Sequence, residues 1–390
     1  MLDVLVVEPF SGNISGAQKV TINIIDMFSE KYNVGIISRK KEGKLKNLLN
    51  KYNVIGVLPF ENIISTVFGL GNLVQRSKSI KFYFRMAFVI LVCNIYCLYK
   101  AIYYRPKYIY TYDPRGLVLS CLFMKFFGFK VVWHLHGKLH HSDKTIVFFK
   151  KLSSTILVPS YSISDSFKDK SSIHVIYNGF DFNSHVSNRE FCQGDILNIT
   201  FIGTLIPHKG LHNLIDAINL LINHGSVEYI KLNIVGEFPQ SNNVNYKKYL
   251  EDLVSNLPKN VFVQFCGWSD SPEQYILNSD VVVFPSVIEG TIHLDGKDQK
   301  IASSEALPTV LIEALSCGVP VVATRTPGCD EIVSDKSYGV IIDESEPLLI
   351  MEGIEKIIIN NKFYKFSPTN IRVKFSKSSM FESVFKILSQ

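Results

Sequence analysis

Short apolar runs alternate with amphipathic helical stretches along almost the whole chain, and the alternation breaks at one polar segment, residues 181–195. This pattern favours an α/β architecture with parallel sheets, because parallel strands need crossovers, and helices supply them. In the first series, strands are predicted at residues 3–7, 34–37, 108–111, 130–134 and 155–159, with helices at 16–30 and around 117–127. In the second, strands are predicted at 197–202, 231–235, 261–265 and 280–284, with helices at 211–223 and 246–255. The first of those helices carries Leu214, Ile215, Ile218, Leu221 and Ile222 at helical spacing. A chain of 390 residues is too long for one compact core. Two domains are therefore expected, residues 1–182 and 196–369, with no fixed-period repeat relating them. Open α/β sheets bind ligands at the carboxyl ends of their strands, so two in tandem leave a cleft for one.

Charge is unevenly shared. Residues 1–180 carry 24 Lys and Arg against 10 Asp and Glu, and residues 181–390 carry 17 against 25. A basic first half suits an anionic partner: membrane lipid, nucleic acid or a phosphorylated substrate. A lysine-rich solvated surface is the alternative. Seven cysteines, with no C-x-x-C pair, fit reduced thiols in a cytosolic protein rather than a disulfide framework or a zinc site. Met1 leads straight into a strand, with no basic leader and no signal peptide expected.

Residues 86–99 form an uncharged run between Arg85 and Lys100, with further Lys and Arg at 76, 78, 81, 105 and 107. The run is shorter than the ~20 residues a bilayer span requires. A helix lying in an anionic membrane surface is one reading, and a buried core helix is the other.

The stretch Glu305-Ala-Leu-Pro-Thr-Val-Leu-Ile-Glu313 sets one carboxylate before a helix and a second one turn inside it. Pro308 suits the first helical position, Gly318 suits the stop, and residues 319–323 read as a buried strand. A phosphate fits the N–H groups of Thr309 and Val310 at the helix N-terminus, while Glu313 can accept hydrogen bonds from vicinal hydroxyls such as those of a ribose. Glu305 then faces whatever lies beyond the phosphates. Taken alone, the same residues also describe an amphipathic surface helix.

Other loops carry related chemistry. Gly203-Thr204-Leu-Ile-Pro-His-Lys209-Gly210 follows a strand and precedes a helix, which places Lys209 where its ammonium could neutralise a diphosphate. Asn13-Ile-Ser-Gly16-Ala17 is a short turn into a helix that would bring backbone close to a ligand. Trp133-His134-Leu-His136-Gly137, with His140 and His141, lacks the accompanying carboxylates or cysteines of a metal site. It favours one functional histidine at a strand end, His136.

Together these segments resemble the retaining glycosyltransferases of family 4, which have the GT-B fold. The resemblance is collinear over nearly the whole chain. It covers Ser15-Gly16-Ala17, the strand ending in His136-Gly137, residues 155–160 and 176–181, and the loop from Phe201 to Gly210. It continues through the glycine turns at Gly236 and Gly267, Phe284-Pro285-Ser286, the pair Glu305 and Glu313, and Thr324-Arg325-Thr-Pro-Gly328. Two departures stand out: Thr204 occupies a position where the family commonly has Arg, and residues 287–304 form a long polar insert. Arg325 is a candidate substitute for the missing cation. The insert is either a lid that orders on binding or a tolerated surface loop.

The resemblance implies two Rossmann-like domains facing each other across a cleft. A terminal helix within about residues 370–390, predicted at 375–389, would cross back to the first domain. It implies transfer of a sugar from a nucleotide diphosphate-sugar, UDP- or GDP-linked, to a hydroxyl with retention. Lys209 would stabilise the leaving diphosphate, Glu305 would hold the donor sugar, and His136 would contact it from the first domain. Donor binding would fall to Gly16, Gly203, Thr204, Gly236, Gly267, Pro308, Thr309, Val310 and Glu313. No metal or cofactor and no nucleic acid is expected. The acceptor would be a glycan or a polyprenyl-diphosphate-linked glycan, at the inner face of the cytoplasmic membrane, in lipopolysaccharide, O-antigen, capsule or exopolysaccharide synthesis. The alternatives are a sugar-nucleotide epimerase of the same fold and a catalytically silent nucleotide-sugar- or membrane-binding protein.

Overall fold

The structure is a computed structural model that describes residues 1–10, 16–69, 79–139, 142–187, 194–239 and 244–389. Contacts divide the chain into two units, residues 1–179 with 377–390, and residues 180–376.

Unit 1 opens with β1 (Val4–Glu8), α1 (Gly16–Lys31), β2 (Val34–Ser38), α2 (Lys44–Leu49), β3 (Val54–Val57), α3 (Glu61–Phe68) and α4 (Ile80–Tyr104). It continues with β4 (Tyr108–Tyr112), α5 (Asp113–Ser120), β5 (Lys130–His134), α6 (Asp143–Leu152), β6 (Thr155–Val158), α7 (Tyr161–Ser164) and β7 (Ile173–Val175). The seven strands form one sheet in the order β3-β2-β1-β4-β5-β6-β7. All neighbours are parallel. Every residue of β1, β2 and β4 is buried, as expected of parallel strands covered on both faces.

Unit 2 begins with β8 (Ile196–Ile202), α8 (Leu211–His224), β9 (Tyr229–Val235), α9 (Val244–Ser255), β10 (Val261–Gly267), α10 (Glu273–Leu277) and β11 (Val281–Phe284). A hairpin of β12 (Glu289–Leu294) and β13 (Lys297–Ala302) follows, then α11 (Thr309–Ser316), β14 (Val321–Thr324) and α12 (Cys329–Ile332). The unit closes with β15 (Gly339–Ile342), α13 (Pro347–Ile359) and α14 (Thr369–Lys374). Its main sheet runs β10-β9-β8-β11-β14-β15, again parallel throughout. The predicted face of α8 is confirmed: Leu214, Ile215, Ile218 and Leu221 are buried in the unit 2 core, with Ile222 packed against it. The final helix, α15 (Lys377–Leu388), belongs to unit 1, where Met380, Val384 and Leu388 enter the core beside Val4, Ile24 and Tyr108.

Several sequence expectations need correction. The helix expected around residues 117–127 starts and ends earlier, at α5, because the Asn94 carboxamide oxygen takes the Leu122 N–H at 2.8 Å and turns follow. Residues 287–304 are not an open loop: they contain the antiparallel hairpin, turning at Asp295 and Gly296, both with positive φ. The uncharged run at 86–99 is the middle of a 25-residue helix, α4, since charges on an exposed face do not end a helix. Its full length does meet the reach of a membrane span. Pro308 stands just before α11, at φ −70° and ψ 100°, rather than at its first position.

Candidate active site

In unit 2 the predicted residues gather at the carboxyl ends of β8, β9, β10 and β11. Gly203, Gly236 and Gly267 end three neighbouring strands and are joined to them: Gly203 N–H donates to Val235 O at 3.0 Å, and Gly236 N–H to Gly267 O at 2.8 Å. Gly236 has φ +148°, and a Cβ there would lie 1.9 Å from the Gly203 carbonyl oxygen. Gly210, at φ +72°, lies so close to the chain after β11 that a Cβ would fall 1.8 Å from Pro285 O. Both positions demand glycine, and both hold the loop after β8 against its neighbours. Thr204 is exposed on that loop, where a ligand could reach it.

Lys209 ends a short 3-10 turn, Pro207–Lys209, directly before Gly210. Its ammonium donates to Glu305 Oε1 and sits 5.6 Å from the centroid of the Phe284 ring. The side chains are only 21% and 17% exposed, so the pair is held in a partly dry environment where its attraction exceeds that of a surface ion pair. Burial and the Lys209 charge push the neighbouring His208 pKa down, against a smaller opposing pull from Glu305. The chain then enters α11 at Thr309 and Val310, whose N–H groups the helix itself does not use. Glu313 lies about one turn further and is half-buried, while Leu311, Ile312 and Leu315 anchor the helix in the core. Gly318, at φ +74°, follows its end.

The hairpin is rooted in this same region. Val287 N–H donates to His208 O at 2.9 Å, beside Lys209, and Ser303 N–H donates to Ile288 O at 3.0 Å, two residues before Glu305. Ile292 is buried in the unit 2 core, and Leu294 and Ile301 pack against it. Arg325 follows β14, on the strand next to β11. Its guanidinium is tied to Asp330 and, at 2.8 Å, to Asp343, and those carboxylates compensate its charge.

Unit 1 collects a second group of polar side chains at the carboxyl ends of its strands. Glu8 ends β1, is 2% exposed, and accepts hydrogen bonds from Phe10 N–H and, at 3.0 Å, from Tyr112 O–H. Burial raises its pKa from 4.5 to about 7, although those hydrogen bonds and Arg39 oppose the change. Arg39, just past β2, is fully buried and donates to Pro9 O, Ser65 Oγ and Gly69 O at 3.1–3.2 Å. Burial and the charge of Arg115 lower its pKa to about 10. Arg115 is held by Asp113 at 2.8 Å and stacks 4.2 Å above the Phe10 ring, which stacks in turn on Tyr112. Asp113 reaches this position with φ +62°, a strained backbone for a residue other than glycine.

His136 lies just past β5, its ring edge-on to Tyr112 at 5.6 Å and its Nε2 3.4 Å from Thr21 Oγ1. Burial lowers its pKa to about 4, so it is neutral at pH 7. His134 packs beside it with ring centroids 4.1 Å apart, and its Nδ1 is 2.8 Å from Tyr110 O–H. Among the described residues no three His, Cys, Asp or Glu side chains converge as a metal site. Gly16 opens α1; Asn13, Ser15, His140 and His141 lie outside the described residues. Glu8, Arg39, Asp113 and Arg115 escaped the sequence reading, although each follows or ends an apolar strand run and could have been marked on that ground.

Residues 193–372, nearly all of unit 2, match the family model described as Glycosyl transferases group 1. The chain is 25% identical over 190 residues to the capsular polysaccharide biosynthesis glycosyltransferase CapM of Staphylococcus aureus, covering 48% of this chain and 44% of that protein. It therefore spans less than half of CapM's length. It is 23% identical over 358 residues to the UDP-Gal:alpha-D-GlcNAc-diphosphoundecaprenol alpha-1,3-galactosyltransferase of Escherichia coli, covering 85% and 81%. The crystal structure of Anabaena HepE in complex with UDP matches with a TM-score of 0.72, at 20% identity over 99% of both chains. That likeness shows the fold: two Rossmann-like α/β domains of the GT-B class.

Proposed function

We propose that this chain, which carries a glycosyl transferases group 1 domain over residues 193–372, is a glycosyltransferase of capsule- or lipopolysaccharide-type polysaccharide synthesis. It takes a sugar from a nucleotide diphosphate-sugar, retains the anomeric configuration as family 4 enzymes do, and delivers it to a hydroxyl of a glycan or polyprenyl-diphosphate-linked acceptor. The observation that carries this reading is the Lys209–Glu305 pair set beside the N-terminus of α11. A cation, a set of unused N–H groups and a carboxylate in the following turn are the groups a nucleoside diphosphate needs. The relatives support the same chemistry: one solved neighbour binds UDP, and one curated relative is named for a UDP-galactose donor and a diphosphoundecaprenol acceptor.

In this reading Glu313 accepts hydrogen bonds from the ribose hydroxyls, and Thr309 and Val310 donate N–H groups to the phosphates. A diphosphate carries more negative charge than one carboxylate, so the donor draws the Lys209 ammonium away from Glu305. Lys209 then stabilises charge developing on the leaving diphosphate. Glu305, released, turns to the hydroxyls of the donor sugar. His136, neutral at pH 7, is suited to act as a hydrogen-bonding group rather than a cation. Gly203, Thr204, Gly236, Gly267 and Pro308 shape the donor-binding backbone of unit 2. A lipid-linked acceptor places the reaction at the inner face of the cytoplasmic membrane.

The test is turnover of a panel of UDP- and GDP-sugars with and without lipid-extract acceptors. Acceptor-dependent release of nucleotide, lost in Lys209→Ala, supports the reading. Turnover without any acceptor would assign an epimerase instead, and an inverted anomeric signal in the product's NMR spectrum would overturn retention.

A further inference from the structure

α4 presents a long exposed apolar strip, and its sequence is one-sided in charge. Ile80, Phe84, Phe88, Leu91, Ile95, Tyr99 and Ile102 are each at least 48% exposed. They recur at the three- and four-residue spacing of a single helix face, a strip of roughly 33 Å at the usual helical rise. Phe60, 49% exposed, widens the strip through its ring contact with Phe88 at 5.4 Å. A soluble surface does not ordinarily present such a patch without a partner. Between Glu61 and Asp113 the sequence holds no acidic residue. Lys81 and Arg85 are exposed at one end of the helix, and Arg105 and Lys107 just beyond the other.

Length and composition alone would allow α4 to cross a bilayer. The opposite face forbids it. Val89, Cys93, Asn94, Cys97 and Ala101 are buried in unit 1. The Asn94 side chain donates to Ile90 O and Val118 O and accepts from Leu122 N–H, each at 2.8 Å. Lys100 Nζ donates to Ile55 O at 2.9 Å, and Tyr96 O–H lies where a Cβ on Gly56 would fall. A spanning helix would have to abandon all of these and carry Asn94 into hydrocarbon, at a cost of several kcal/mol per unsatisfied group.

We infer that α4 lies flat in the interface of an anionic membrane along its full length, its exposed strip among the acyl chains and its terminal cations among the lipid phosphates. The helix cannot leave unit 1, so docking fixes the orientation of that unit on the bilayer. This names the surface on which the proposed function would meet a lipid-linked acceptor and rests on that reading only for the acceptor; the lipid contact stands on α4 itself.

The experiment uses the full chain with phosphatidylcholine vesicles containing or lacking phosphatidylglycerol. Flotation with the anionic vesicles is expected, weakening roughly fivefold for each of Lys81, Arg85, Arg105 and Lys107 changed to Ser. Leu91→Glu with Ile95→Glu should abolish it while leaving the circular dichroism spectrum unchanged. Phe88→Trp should be quenched by lipids brominated at shallow acyl positions, and the wild type should be released from vesicles at alkaline pH. Deep quenching with resistance to alkaline release would show a span and overturn the flat orientation. No flotation would overturn the lipid contact, and a dimer that Leu91→Glu converts to a monomer would assign the strip to a second copy of the chain. Donor turnover of Leu91→Glu in detergent separates the two proposals: lost flotation with turnover intact concerns α4 alone, and flotation without turnover concerns the enzyme reading alone.

Discussion

Lys209 and Glu305 lie 96 residues apart in sequence yet meet as an ammonium–carboxylate pair with about four fifths of each side chain covered. One comes from the loop after β8 and the other from the root of the β12–β13 hairpin, so the pair joins the two segments that bracket the candidate donor site.

Removing one partner leaves the other's charge largely covered and uncompensated. Lys209→Ala and Glu305→Ala are each expected to cost roughly 1–3 kcal/mol of unfolding free energy, and the double variant less than their sum. Urea denaturation in a double-mutant cycle measures the coupling, and strict additivity would mean that the pair does not persist in solution.

The two carboxylates of the site should separate by their kinetic effects. Glu313→Ala is expected to weaken UDP binding by about ten- to a hundredfold in calorimetry, the loss of one or two hydrogen bonds to a charged group. Lys209→Ala should lower kcat by about 10²–10³-fold, since it acts on charge that develops during transfer. Equal losses of binding and of kcat in both variants would contradict the division of roles.

Gly210 and Gly267 have nearly the same backbone, φ +72° and +71°, but different surroundings: a Cβ at Gly210 meets Pro285 O at 1.8 Å, and at Gly267 it meets nothing within 4 Å. Gly267→Ala should therefore cost about 1 kcal/mol from conformation alone. Gly210→Ala adds a backbone collision and should cost about 2–4 kcal/mol. Thermal unfolding of the two variants side by side decides it, and equal shifts would refute the close approach.

Glu8 should make stability fall with rising pH. Its pKa is raised from 4.5 to about 7 by burial, so the unfolded chain releases the proton first. The destabilisation sets in as pH rises through about 4.5 and is complete above about 7. Glu8→Gln keeps an acceptor for Tyr112 and should gain roughly 2–4 kcal/mol over wild type at pH 8 relative to the same comparison at pH 4. His136 acts in the opposite sense: its pKa, lowered to about 4, makes folding less favourable as pH falls from about 6.5 to 4. Denaturation profiles of wild type and both single variants, Glu8→Gln and His136→Gln, resolve the two contributions.

Most strands of the two main sheets were legible because they are short, largely apolar runs, and β5 was read to the residue; β3, β7 and β15, with only three or four residues each, were not marked. Elements governed by distant contacts were not. α5 ends where Asn94, on another helix, captures a backbone N–H, and no pattern near Leu122 announces that. The hairpin buries few apolar side chains, Ile292 chief among them, in an otherwise polar run, so its alternation was faint. In the site, Lys209, Glu305 and Glu313 could be marked because strand–turn–helix spacing points to each. Glu8, Arg39, Asp113 and Arg115 come together from separate strand ends, with the sheet order rather than any spacing as the cause.

Because α15 fills the core of unit 1, the half of the protein made first is the half completed last. Met380, Val384 and Leu388 enter that core, Gly179 N–H meets Met380 Sδ at 3.2 Å, and Tyr108 O–H reaches Leu388 O. A chain emerging from the ribosome therefore has all of unit 2 in hand while a groove beside α1 still waits for its last helix. Unit 1 expressed as residues 1–179 would keep that groove open to water and to other chains. For this molecule the order of synthesis and the order of completion run in opposite directions.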